Sequence, residues 1–105
     1  MVEISKKDWA LFRSKLPEWQ ESYMGKLVQE YIDLLSEDRY ASDKFWDLDE
    51  KLKKDKKHPG VQLEVRKSTV LYDIARFLKD GVITEGDLAE FSMDTVDAVH
   101  LILGR

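Results

Sequence analysis

Pro17-Glu18-Trp19-Gln20-Glu21-Ser22-Tyr23-Met24-Gly25-Lys26-Leu27-Val28-Gln29-Glu30-Tyr31-Ile32-Asp33-Leu34-Leu35 is the stretch that decides the fold class. Trp19, Tyr23, Leu27, Tyr31 and Leu34 recur every three or four residues, the spacing of one helix face. Met24, Val28, Ile32 and Leu35 widen that face, and a stripe so broad predicts a central helix packed on more than one side. Proline suits a first helical turn, where its missing N–H would have no partner anyway. The helix is therefore expected to begin at Pro17, with Glu18 and Glu21 adding favourable negative charge to its first turn. Gly25 costs about 1 kcal/mol relative to alanine inside a helix and marks a close helix crossing.

Toward the N-terminus, Ser5 caps a separate helix carrying Trp9, Phe12 and Leu16, with Asp8 in its first turn and Pro17 as its end. Toward the C-terminus, Ser42 is expected to cap a helix containing Phe45, Trp46, Leu48 and Leu52, which stops near His58-Pro59-Gly60. Asp47–Lys51, Asp49–Lys53 and Glu50–Lys54 are acid-before-base pairs at i,i+4, the supportive order. Val61, Leu63 and Val65 alternate with Gln62 and Glu64, so residues 61–65 also carry a strand signal. No strand partner is evident, and Leu63, Val70, Leu71, Ile74, Phe77 and Leu78 fit one helical stripe. A single helix from about Val61 to Asp80 is preferred, with Ser68 as its latest start. Gly81 supplies a left-handed helix end. Thr84 and Asp87 form a capping box for a short helix bearing Leu88 and Phe91. Ser92 caps the last helix, with Val96, Val99 and Leu103 on one side. The expected architecture is a single all-α domain over residues 1–105, a compact bundle of five or six helices.

The chain has 105 residues, 43% of them hydrophobic and 36% charged, with a mean hydropathy of −0.47. This is a globular composition with a charged surface, neither disordered nor membrane-spanning. The N-terminal Met1-Val2-Glu3-Ile4-Ser5 lacks the features of a secretory signal, and a cytoplasmic location is the expectation. There are no cysteines, which excludes disulfides, thiolate catalysis and cysteine-rich zinc sites. Charge is segmented. Residues 1–50 hold seven Lys/Arg against twelve Asp/Glu, residues 51–67 seven against two, and residues 68–105 three against seven. One basic segment therefore lies between two acidic ones.

Residues 79–88, with Gly81, Ile83 and Asp87, resemble the second half of an EF-hand calcium loop. The first and third loop positions would be Arg76 and Leu78, which offer no anionic oxygen. The stretch is read instead as a helix end, an apolar link and a capping box. A helix-turn-helix across Leu71–Phe91 would present an acidic second helix, Glu85-Gly86-Asp87-Leu88-Ala89-Glu90, which DNA repels. The segment Lys51, Lys53, Lys54, Lys56, Lys57, Arg66 and Lys67 offers phosphate contacts. Its acidic neighbours and the pI near 5.2 make a solvated helix face the favoured reading, and nucleic acid is not the expected partner. His58 and His100 are isolated, with Asp97 one turn before His100 as a local partner. No H-E-x-x-H, G-x-S-x-G or glycine-rich phosphate loop occurs. No catalytic residue, metal or cofactor is assigned, and the chain is not expected to be an enzyme.

Most of the aromatic set Trp9, Phe12, Trp19, Tyr23, Tyr31, Phe45, Trp46 and Tyr72 is read as core. Phe45 and Trp46 are adjacent and point about 100° apart on a helix, so both cannot sit at the centre of one narrow face. With Tyr40 they form a candidate partner surface, since aromatic side chains commonly anchor protein interfaces. On the last helix, Leu101 and Ile102 spread the apolar surface round its end. Either that helix inserts between two others, the favoured alternative, or its spare face meets a second copy. The expected function is a non-enzymatic interaction or regulatory module working through helix faces on a protein partner, with a homodimer as one form. The alternative is an accessory nucleic-acid binder using residues 51–67. The aromatic second helix and the link Asp80-Gly81-Val82-Ile83-Thr84 resemble small uncharacterised all-helical bacterial proteins, a resemblance that implies an all-α fold and carries no activity or site.

Overall fold

In the computed structural model, which describes residues 3–105, Ser5 opens the first helix through its side-chain oxygen, which accepts the Asp8 N–H at 3.1 Å. Met1 and Val2, from the stretch expected to carry no secretory signal, lie outside the described residues. Four α-helices follow among those residues: α1 (Lys6–Leu35), α2 (Ala41–Asp55), α3 (Val70–Lys79) and α4 (Met93–Ile102). Two single 3-10 turns precede α3 and α4, at Lys67–Thr69 and Glu85–Leu88. The fold is all-α, but four helices replace the expected five or six.

Part of that difference lies at Pro17, which sits inside one unbroken helix of 30 residues and does not divide two. Proline there removes one backbone hydrogen bond and crowds the carbonyl of Arg13, a cost of about 3 kcal/mol. Phe12 and Leu16 before it and Trp19 after it lie on a single stripe and are all buried in the same core. Burying three such side chains is worth more than the local penalty. Pro17→Ala restores the missing bond at an exposed position. The stiffness lost from the unfolded chain offsets up to about 1 kcal/mol of the gain. Thermal denaturation should show a net stabilisation of about 1–2 kcal/mol, and a lowered melting temperature would contradict this account of α1.

Three other expectations also change. α2 begins at Ala41 with Tyr40, not Ser42, at its N-cap, and no side chain caps it. Residues 61–66 are neither the preferred helix nor a strand, and α3 starts at Val70. Gln62 turns back, its Nε2 donating to the Lys56 carbonyl. Pro59 and Gly60 carry this connection across α1, where the Pro59 carbonyl accepts from Gln20 at 3.1 Å. Gly60 passes so close beneath Tyr23 that a Cβ would lie 2.5 Å from the ring.

The remaining punctuation is as expected. Gly81 takes φ +76° at the end of α3, and the Phe77 carbonyl accepts the Val82 N–H at 2.9 Å. Thr84 and Asp87 form the capping box, although the element it opens is a 3-10 turn. The core joins the N-terminal half of α1 to α3, α4 and the link between them. Phe12, Trp19, Ile74, Phe77, Val82, Ile83, Leu88, Phe91 and Val99 meet there.

α4 is held by Asp8. That carboxylate is 1% exposed and accepts the Ser92 N–H at 3.2 Å, the Ser92 hydroxyl and the Thr95 hydroxyl at 2.6 Å. Ser92 in turn accepts the Thr95 N–H, as a helix cap should. A side chain on the first turn of α1 thus anchors the first turn of α4. The last helix is not inserted between two others. It buries Thr95, Ala98 and Val99, while Ile102 packs at the core margin and Leu101 stays 79% exposed.

Candidate functional site

Beyond Tyr23, α1 leaves the core and runs on with α2 folded back against it. The molecule measures 51 × 24 × 21 Å, and this two-helix arm lies outside the core cluster of α1, α3 and α4. Leu27 is the only arm residue of α1 beyond Tyr23 that is buried, and α2 buries none. The arm is closed by the buried Leu27 and the half-buried Tyr31, Leu34, Leu48 and Leu52, and by polar contacts. Tyr31 Oη donates to Asp55 at 2.7 Å, and Lys51 reaches Glu30 at 3.0 Å and Asp55 at 3.3 Å. Burial, the Asp55 hydrogen bond and its charge push the Tyr31 hydroxyl above its ordinary pKa. At the turn, Lys44 donates to the Leu35 and Glu37 carbonyls, capping the end of α1 with a cation.

What the arm leaves uncovered is apolar. Met24, Val28, Ile32 and Leu35 are 42–52% exposed, although their spacing predicts burial on a second side of a central helix. Relative to Leu27, they lie about 60–140° round α1. α2 runs the opposite way, and Phe45 lies about 40° from its Leu48–Leu52 seam, turned to the same side. Phe45 and Trp46, each 62% exposed, meet edge to face at 4.9 Å, and Tyr40 at the turn is 80% exposed. The structure therefore gathers Tyr40, Phe45 and Trp46 at the tip, beside an apolar strip not singled out as a site from sequence. Leu101 and Ile102 belong to α4, on the body, and form no part of this surface.

The basic segment is already engaged in part. Lys51, Lys53 and Arg66 pair with carboxylates, the last two at 2.9 Å to Asp49 and 2.7 Å to Glu64. The expected Asp47–Lys51 pair does not form, because Asp47 binds Arg39 at 2.8 Å. Lys54, Lys56, Lys57 and Lys67 form no ion pair among the described residues. The open depression of about 380 Å³ beside Lys51 and Lys54 is also lined by Asp47, Glu50 and Asp55, a majority of carboxylates that repels phosphate.

Each of the two histidines pairs with a carboxylate. His58 stacks on Tyr23 at 4.9 Å, accepts the Gly60 N–H at Nδ1 and meets Asp80 through Nε2 at 2.8 Å. Burial alone would raise the Asp80 pKa, but hydrogen bonds from His58 and Arg76 outweigh it and lower the value. His100 pairs with Glu85 at 2.9 Å, not with Asp97, and Arg105 reaches the same carboxylate. Asp87 is occupied with the Thr84 N–H at 2.7 Å. Among the described residues, no three His, Asp or Glu side chains converge as a metal-binding group. No helix of the described residues is long and apolar enough to cross a membrane. Comparison with protein-family models, curated proteins and solved structures gave no match.

Proposed function

We propose that this chain is a non-enzymatic protein-interaction module whose contact surface is the two-helix arm. One observation carries the reading: the apolar strip Met24, Val28, Ile32 and Leu35, extended by Phe45, lies uncovered on an arm whose second helix fully buries no residue. Exposed apolar residues are ordinary when scattered, but a contiguous strip along one helix marks a contact surface. Its partner inserts a helix, since residues at i, i+4, i+8 and i+11 present a straight ridge that a second helix packs against. Trp46 and Tyr40 form the rim, where large amphipathic aromatics anchor interfaces.

The test places a photo-crosslinking residue at Val28 or Ile32, and a control at Asp94 on the body, in host extract. Adducts should form at the arm, be competed by unlabelled chain and survive about 0.5 M salt, because apolar contacts are insensitive to screening. Equal labelling at Asp94 would sink the reading. Adducts lost at high salt would move the function to the basic segment, where phosphate contacts weaken steeply with salt.

A further inference from the structure

Resting on that reading of the arm, we infer that the occupant of its apolar face is a second copy of this chain, laid antiparallel so that each tip covers the other's base. The net charge of the arm changes sign along its length. The tip, residues 33–50, carries Asp33, Glu37, Asp38, Asp43, Asp47, Asp49 and Glu50 against Arg39 and Lys44. The base carries Lys26, Lys51, Lys53, Lys54, Lys56 and Lys57 against Glu21, Glu30 and Asp55. Lys56 and Lys57 in the turn after α2, and Asp38 in the turn before it, form no ion pair among the described residues. Two arms side by side in the same direction set like charges against each other. Two arms in opposite directions set acidic tip against basic base twice, as a two-fold axis requires.

Size agrees. The 15 residues of α2 span about 22 Å, and two helices side by side are about 20 Å wide. Each face therefore offers on the order of 500 Å², and the pair about 1,000 Å², the lower bound for a specific interface. The layer gained is the one the arm lacks, because two stacked hairpins make a four-helix bundle with the strip inside. Antiparallel stacking also brings Phe45 of one copy toward Met24 of the other, a favourable thioether–aromatic contact.

Sedimentation of the full chain from about 1 to 500 µM should show a monomer–dimer equilibrium. Ile32→Asp should leave a folded monomer, since Ile32 is solvent-exposed in the single chain. Reversing the base (Lys56→Glu, Lys57→Glu) or the tip (Asp38→Lys) should each weaken dimerisation several-fold at low salt. An equimolar mixture of the two reversed chains should restore it as a heterodimer. The chain has no cysteine, so orientation has a clean readout. Met24→Cys mixed with Phe45→Cys should form an intermolecular disulfide faster than either alone. Equal rates would overturn the antiparallel arrangement. A dimer unaffected by Ile32→Asp, or a monomer throughout, would overturn the self-association. A monomer whose arm still crosslinks to a foreign protein leaves the docking surface standing and removes only the second copy. A monomer without arm adducts removes both.

Discussion

Asp8→Ala should destabilise the fold by about 3 kcal/mol, a large fraction of what a domain of this size has to lose. The carboxylate gathers three donors at one place, the Ser92 N–H, the Ser92 hydroxyl and the Thr95 hydroxyl, and alanine leaves all three without it. Melting should fall by roughly 15 °C, given about 4–8 °C per kcal/mol for a small domain. Burial alone would raise the Asp8 pKa, but hydrogen bonds from Ser92 and Thr95 outweigh it and hold the value below the ordinary carboxylate range. The sign follows directly. A carboxyl that is more acidic folded than unfolded contributes stability above its unfolded pKa, and loses it as pH falls through the folded value. The wild-type melting temperature should therefore drop steeply below about pH 4, with Asp80 acting in the same direction. Asp8→Asn, which has no proton to gain there, should give a flatter curve. A parallel acid profile in wild type and Asp8→Asn would remove Asp8 as the cause.

Trp19→Ala should cost about 3–5 kcal/mol, measured as a shift in the urea midpoint. The indole sits among three rings, 6.1 Å from Phe12, 6.3 Å from Phe77 and 6.1 Å from Phe91. Truncation leaves a cavity at the one place where α1, α3 and the segment before α4 meet. Trp46→Ala removes the same side chain from an exposed helix face and should change stability by less than about 0.5 kcal/mol. Its effect belongs to association, not folding. Similar midpoint shifts for the two tryptophans would contradict the division between body and arm.

The features readable in the sequence are those decided within a few residues. Ser5, Ser92, the Thr84–Asp87 box and Gly81 all act over four positions or fewer, and all four take the expected conformation. Pro17 was misleading because its penalty is local while the compensation is tertiary, the shared burial of Phe12, Leu16 and Trp19. Residues 61–65 carried two periodicities at once and satisfied neither, since Val61 and Gln62 instead turn back to the carbonyls of His58 and Lys56. Asp8 reads from sequence as a first-turn charge, and its partner Ser92 stands 84 positions away. Tyr40, Phe45 and Trp46 were legible as surface because adjacent aromatics cannot share a narrow face. The strip Met24, Val28, Ile32 and Leu35 was not, because periodicity reports which side of a helix is apolar and says nothing about what covers it. A clue lay in α2, whose sequence has too few apolar positions to cover two sides of its neighbour.

α1 runs from Lys6 to Leu35 as one helix, and Pro17 lies between the buried Leu16 and Trp19. Thirty residues make a strut of about 45 Å. Anything gripping the tip is thereby held at a set distance and bearing from α4, like a tool on a fixed shaft. A dye pair at Tyr40 and Asp94 should report one narrow distance, alone or in complex. The reach of this molecule is thus built into its longest helix, and adding or removing one helical turn between Leu27 and Leu35 would move the gripping point by about 5 Å without touching the core.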